Sequence, residues 1–351
     1  MNNWRSSRCA AVAVVIMILP VAAQTPASIE LRTPLGRGAS HPLKSVLPTT
    51  HPLAKDVEDR KSYAAIALPD APEQIPPDLE SEWTEMGYDV AQKRETRGES
   101  ALRRPKLATP PKHSLGLDGT ILLAPPATAQ RTLFEGDRKP ITNTRAYPWR
   151  AVCKLYIKYP KHNVIGSGIM VGTKYLLTAG HCVYHKPSGG WAKSIEAIPG
   201  YFGPADYKPF GSAFATDFQT FSGWIENSHS YSDIALVRLD RRIGLSTGWL
   251  TMWDFPNNMG RTIHTAGYPG DLSSGRVMYY DSDKVTDEGP KFVRYKADTK
   301  KGQSGSGVWR IENGGTFVIA VNTTGNKIGN LGTKVTSARI ASFNAFMRAS
   351  P

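Results

Sequence analysis

From about residue 134 onward, the apolar residues of this 351-residue chain come in short runs, each ended by Gly, Pro, Asn or Asp. The runs at 151–156, 168–171, 175–178, 234–239, 277–280, 308–311 and 316–321 are examples. Segments of this length, bounded by turn formers, build strands, and many of them in succession close into an all-β barrel or sandwich. Only the end of the chain departs from the pattern. Ile340, Phe343, Phe346 and Met347 recur at three- and four-residue spacing after Thr336 or Ser337. That spacing predicts a helix, capped by one of those hydroxyls, that lays its apolar stripe on the barrel.

The first third reads differently. Residues 24–130 carry frequent prolines (Pro69, Pro72, Pro76, Pro77, Pro110, Pro111, Pro125, Pro126) and little apolar periodicity. Such a stretch cannot bury enough apolar surface to offset its ordering entropy. It is expected to be a largely disordered pro-segment or flexible spacer, with a local helix within 80–102; a small independent domain is the alternative. Ahead of it, Arg5 and Arg8 precede an apolar run over 9–21 and then Ala22-Ala23. A charged head, a short hydrophobic stretch and small residues describe a signal peptide, 1–23, cut after Ala23. The run is too short for a comfortable membrane span, so the product is expected to be secreted or periplasmic, with no stable membrane span.

Removing the leader leaves Cys153 and Cys182. Export permits a disulfide between them, and two buried free thiols fit the sequence equally well. Charge is uneven: residues 131–351 hold 28 Lys and Arg against 16 Asp and Glu, whereas residues 1–130 hold 15 against 14. A basic surface attracts polyanions, but no nucleic-acid-binding motif accompanies the charge. No specific nucleic-acid partner is expected.

Three phrases carry the chemistry: Thr178-Ala179-Gly180-His181-Cys182, Ser232-Asp233-Ile234-Ala235-Leu236 and Gly302-Gln303-Ser304-Gly305-Ser306. A serine hydroxyl is a poor nucleophile until an imidazole takes its proton, and a carboxylate behind the imidazole fixes its tautomer. His181, Asp233 and Ser304 supply one group of each kind. Glycines around Ser304 allow the dihedrals that turn the N–H groups of Gly302 and Ser304 the same way, as an oxyanion hole requires. Each phrase alone has a plainer reading: a structural histidine, a turn aspartate, a flexible Gly/Ser loop. The order His–Asp–Ser on a β-rich chain favours the joint one. It also excludes an α/β-hydrolase, which needs Gly-x-Ser-x-Gly and the order Ser–Asp–His.

With these phrases, Gly136-Asp-Arg-Lys-Pro-Ile-Thr-Asn-Thr144, Ala266-Gly-Tyr-Pro269 and Asp298-Thr-Lys-Lys-Gly-Gln-Ser-Gly-Ser306 make the last 215 or so residues resemble the chymotrypsin-fold serine endopeptidases, specifically the bacterial glutamyl-endopeptidase branch. The resemblance implies two six-stranded antiparallel β-barrels with the triad between them. It also implies a protease domain over 131–351, with a mature start near Arg131 or Thr132. It places Thr299 where the branch binds an acidic side chain. Asn322, with Thr323 after it, falls where the branch normally carries a histidine. Asp298 falls where trypsin-like members hold the aspartate that pairs with Lys or Arg. An acidic preference on the acyl side of the cut therefore stands beside a basic one and a small, apolar or broad one; Lys300 and Lys301 either attract an acidic group or are simply solvated. The expected protein is a monomeric serine endopeptidase acting on polypeptides, requiring no metal or organic cofactor. A catalytically inactive protease-like binding domain is the rival from another class.

Overall fold

Twelve strands account for most of the turn-punctuated sequence. The first six are β1 (Val152–Lys158), β2 (Asn163–Met170), β3 (Tyr175–Thr178), β4 (Ser194–Pro199), β5 (Ala213–Phe221) and β6 (Ala235–Leu239). The second six are β7 (Thr262–Gly267), β8 (Met278–Glu288), β9 (Phe292–Tyr295), β10 (Gly307–Glu312), β11 (Gly315–Asn326) and β12 (Gly329–Lys334). The structure is a computed structural model that describes residues 64–65, 84–98, 138–203, 207–326 and 328–349, all within one unit, Lys55–Pro351. The expected signal peptide, most of the expected pro-segment and the expected mature start at Arg131 or Thr132 lie outside the described residues.

Both sets close into antiparallel barrels by the same route. The first pairs in the order β1-β2-β3-β6-β5-β4 and returns to β1; the second pairs in the order β7-β8-β9-β12-β11-β10 and returns to β7. Closure pairs most of the sheet edges and gives every strand an inward face to fill. Leu155, Ile157, Met170, Leu176, Phe218 and Val237 share the inward face and fill the first barrel. Ile263, Val285, Val293, Tyr295, Phe317 and Ile319 fill the second. Burying each such side chain contributes roughly 1.5–3 kcal/mol against leaving it in water. A bulge in β11 between Asn322 and Thr324 breaks its register with β12. Bulges of this kind re-aim side chains and often lie beside functional sites.

The C-terminal helix forms as the spacing predicts, over Ser337–Ala349. Asp254 accepts from both the N–H and the hydroxyl of Ser337, closing its start. Phe343 is buried against Phe221 of β5, and Ile340, Phe346 and Met347 pack on the first core. Among the described residues, no helix is long and apolar enough to cross a membrane.

Two expectations are corrected. The local helix expected within 80–102 is instead a β-hairpin, with strands Glu85–Asp89 and Arg94–Arg97. Its inner residues, Met86 and Tyr88, alternate with Glu85, Gly87 and Asp89, a period of two that seats on a sheet and not on a helix face. A glycine in mid-segment weakens the helical alternative further. The disulfide permitted by the sequence does not form: Cys153 and Cys182 are both buried free thiols. The Cys182 sulfur packs where Gly166 would carry its Cβ, so no thiol stands opposite it. Cys153 turns its sulfur to the Ala151 carbonyl, and burial pushes its thiol well above the ordinary range. We therefore expect both thiols to resist alkylation in the native protein and to alkylate fully after denaturation without reductant; a protected pair released only by reductant would contradict this.

Candidate active site

β3 ends at Thr178, and the chain enters a single helical turn, Gly180–Val183, that carries His181. Gly180 suits the turn, because a Cβ there would crowd the Trp224 ring and Asp233 Oδ1, each 3.0 Å away. Asp233 follows a short turn, Ser230–Ser232, and precedes β6, which pairs with β3 from Ala235↔Thr178 onward. This register delivers the carboxylate to the imidazole. The His181 backbone N–H donates to Asp233 Oδ1 at 2.7 Å, and His181 Nδ1 meets Oδ2 at 2.6 Å. Both residues are buried, His181 at 1 % exposure and Asp233 at 0 %. Burial alone would pull the imidazole down, but the Asp233 charge and hydrogen bond outweigh it, and His181 lies above its ordinary range. The Tyr159 hydroxyl donates to the His181 carbonyl, pinning the turn from below.

Ser304 comes from the other barrel, in the loop that leads into β10. Gly302 and Gly305 both take positive φ, +97° and +84°. The loop is held on its far side by β11: Gly305 N–H donates to the Asn322 carbonyl, and Asn322 N–H donates to the Ser306 carbonyl. It is held on its near side by Ser167 of β2. Ser167 N–H donates to the Ser304 carbonyl at 2.8 Å, and Ser167 Oγ donates to the Gly302 carbonyl at 2.8 Å. The same Oγ accepts from Tyr268 N–H, and the Ser167 carbonyl accepts from Thr178 Oγ1. The Cys182 sulfur, one residue past His181, lies 3.7 Å from the Ser304 carbonyl oxygen. So the histidine turn and the serine loop adjoin.

What these groups leave unsatisfied is informative. His181 Nε2 and Ser304 Oγ are both buried without a hydrogen-bond partner. The N–H groups of Gln303, Gly305 and Ser306 donate to carbonyls, whereas those of Gly302 and Ser304 donate to none among the described residues. A hydroxyl, an imidazole nitrogen and two backbone N–H groups on adjoining loops are thus left without partners among the described residues, and buried polar groups in that state call for an explanation.

The remaining predicted residues are distributed around this loop. Thr299 Oγ1 is buried and unpartnered. The Asn322 amide is spent, accepting from Tyr295 OH at 2.6 Å and donating to the Gln303 carbonyl at 3.3 Å. Thr323 Oγ1 donates to the Leu331 carbonyl and lies 3.2 Å from Thr333 Oγ1. Asp298 is met by a buried guanidinium: Arg138 Nε lies 3.1 Å from its carboxylate, and the two Nη atoms bind Asp271. Desolvation works against the charged Arg138, but the two aspartates outweigh it and raise it.

Sequence reasoning missed Ser167, whose only signal was a lone hydroxyl between two glycines in an apolar strand. It quoted Arg138 without assigning a role. It passed over Arg339, a fully buried arginine on the C-terminal helix that donates to the carbonyls of Lys334 and Tyr231, the latter two residues before Asp233.

Comparison with known proteins bears on the same region. The trypsin-like peptidase domain family matches residues 166–321. A Bacillus subtilis (strain 168) protein named extracellular metalloprotease is 33 % identical over 206 residues, 57 % of this chain and 64 % of that protein. A glutamyl endopeptidase of Bacillus licheniformis is 33 % identical over 222 residues, 60 % of this chain and 67 % of that protein. The chain thus spans less than two thirds of the first and about two thirds of the second. A solved structure of a Glu endopeptidase in complex with MPD is 30 % identical, covering 61 % of this chain and 98 % of that one with a TM-score of 0.54. The first name implies a metal. Among the described residues, no group of three or more His, Cys, Asp or Glu side chains is gathered to hold one.

Two outcomes are expected. Ser167→Ala strands the Tyr268 N–H and removes the donor to Gly302, costing about 2–3 kcal/mol, seen as a fall of roughly 5–10 °C in the thermal midpoint. In the native protein the His181 ring should titrate above the ordinary value of about 6.5. Asp233→Asn, which removes the opposite charge, should move that titration down, as followed by imidazole NMR.

Proposed function

Because this chain belongs to the chymotrypsin-fold serine peptidases, in their glutamyl-endopeptidase branch, we propose that it hydrolyses peptide bonds through an acyl-enzyme on Ser304. One observation carries the reading: Ser304 Oγ and His181 Nε2 are buried and unpartnered while Nδ1 is held by Asp233. Ser304 Oγ attacks the peptide carbonyl carbon as His181 Nε2 takes its proton. Asp233 keeps the ring in the required tautomer and stabilises the imidazolium. The N–H groups of Gly302 and Ser304 receive the oxyanion. Collapse breaks the C–N bond, and His181 protonates the leaving amine. Water then attacks the ester with His181 again as base, freeing the carboxylate and restoring Ser304.

The proposed polypeptide is exported by the leader at 1–23 as a zymogen, with 131–351 as the monomeric protease domain. We assign it a preference for acidic side chains on the acyl side of the cut. Asp298 is compensated by Arg138 and has Lys300 Nζ 3.7 Å away, so it offers no free carboxylate to a basic side chain. Thr299 keeps an unused hydroxyl, and exposed Lys300 and Lys301 add positive charge beside it. Asn322 supplies no imidazole, and its amide is committed elsewhere, so Thr299 and the two lysines carry the recognition.

Ser304→Ala should lower peptide hydrolysis by several orders of magnitude with the fold intact, and abolish labelling by a fluorophosphonate. Full labelling of a chain that cleaves no peptide would favour a narrower acyl transfer; no labelling of the native chain would favour the binding-domain alternative. In the native enzyme kcat/KM should fall as pH falls through the His181 titration, since only the neutral ring accepts a proton. On a peptide library, cleavage should follow Glu or Asp, and Thr299→Val should cost those substrates about 10-fold or more. Cleavage after Lys or Arg would overturn the acidic assignment without touching the serine mechanism.

A further inference from the structure

The first barrel closes imperfectly between β4 and β5. Only Glu196↔Phe214 and Ala197↔Ala213 pair across that seam. Beyond them, β5 would present Asp217–Phe221 as a bare edge. The hairpin from the expected pro-segment fills it. Five residue pairs, from Asp217↔Asp89 to Phe221↔Glu85, run antiparallel without a break. Val90 N–H donates to the Thr216 carbonyl at one end. At the other, Ser222 N–H donates to the Thr84 carbonyl, and Thr84 N–H donates back to Ser222 Oγ.

Side chains lock the pairing. Met86, 3 % exposed, packs with Trp224 and Ile225 against Tyr184 and Trp191. Tyr88 stacks on Trp191, ring centroids 4.9 Å apart, and Glu95 accepts from the Trp191 indole N–H at 2.8 Å. Arg97 pairs with Glu226 at 3.1 Å. The chemistry beneath is close: the Trp224 ring centroid lies 6.0 Å from that of His181, and the same indole fills the space that Gly180 leaves by lacking a Cβ.

We propose that the segment 84–98 is a permanent part of the catalytic unit. It is a two-stranded patch that completes the first barrel and braces Trp224 against the His181 turn, and it stays bound as a peptide once the chain between it and the protease domain is cut. Its binding follows from edge pairing and apolar burial and does not depend on the proposed chemistry. The bracing of His181 rests on the catalytic reading, and the two are read separately below.

The test uses the full-length Ser304→Ala chain with a specific protease site inserted between residues 105 and 125. After cutting, the fragment holding 84–98 should co-elute with the protease domain on gel filtration and appear with it in native mass spectra. The thermal midpoint should stay within about 2 °C of the uncut chain. Met86→Asp should release the fragment and lower the midpoint by 5 °C or more. Should that variant fail to fold, the cut wild-type complex is separated in mild denaturant. A synthetic 80–102 peptide added back to the refolded domain should restore both the midpoint and the His181 imidazole titration. A fragment that elutes apart from a domain of unchanged midpoint overturns the proposal. Restoration of the midpoint without any change in the imidazole titration keeps the hairpin as a structural strand pair and removes its bracing role.

Discussion

A small hydroxyl side chain is a central tie between the two barrels. Ser167 stands on β2 of the first barrel, and its N–H and hydroxyl both donate to the loop that carries Ser304 in the second. Its other contacts reach Tyr268 on the second barrel and Thr178 at the end of the strand that leads to His181. It thereby ties the loop of Ser304 to the strand that leads to His181. The surroundings leave no slack: Cβ atoms on Gly267 and Gly305 would fall 2.7 Å from Ser167 Oγ and 2.3 Å from its carbonyl oxygen. A larger residue at either glycine would push the serine loop off β2.

Much of this was legible beforehand, because the signals were local. Strand texture followed from run length and turn residues, and the helix at the end from the spacing of Ile340, Phe343, Phe346 and Met347. His181 and Asp233 could be named because each sits at the end of a recognisable strand, and the fold needed only to pair β3 with β6 to join them. The parts that stayed hidden depend on contacts between residues far apart in the chain. Ser167 and Gly302 are 135 positions apart, and Arg138 and Asp271 are 133. No local pattern encodes such pairs. The hairpin failed for a related reason: its residues are too polar to announce a strand, and what orders them is an edge on β5 that exists only after the barrel has formed.

The charged groups around the serine loop illustrate how position changes meaning. Asp298 read alone suggests a counter-ion for a basic substrate. With Arg138 buried against it, the same carboxylate becomes part of an internal bridge between the loop before Ser304 and the loop bearing Asp271. A buried ion pair of this kind adds little net stability but is costly to break, so it fixes loop geometry. Arg339 acts likewise on the opposite side, where burial pulls its guanidinium down and its donors hold the carbonyl two residues before Asp233.

Gly166, opposite Cys182, has a consequence for where the chain can be made. A fold whose two described thiols are buried and never meet does not wait for an oxidant, an isomerase or a particular thiol–disulfide poise to finish assembling. Its described residues should fold equally well in a reducing or an oxidising medium.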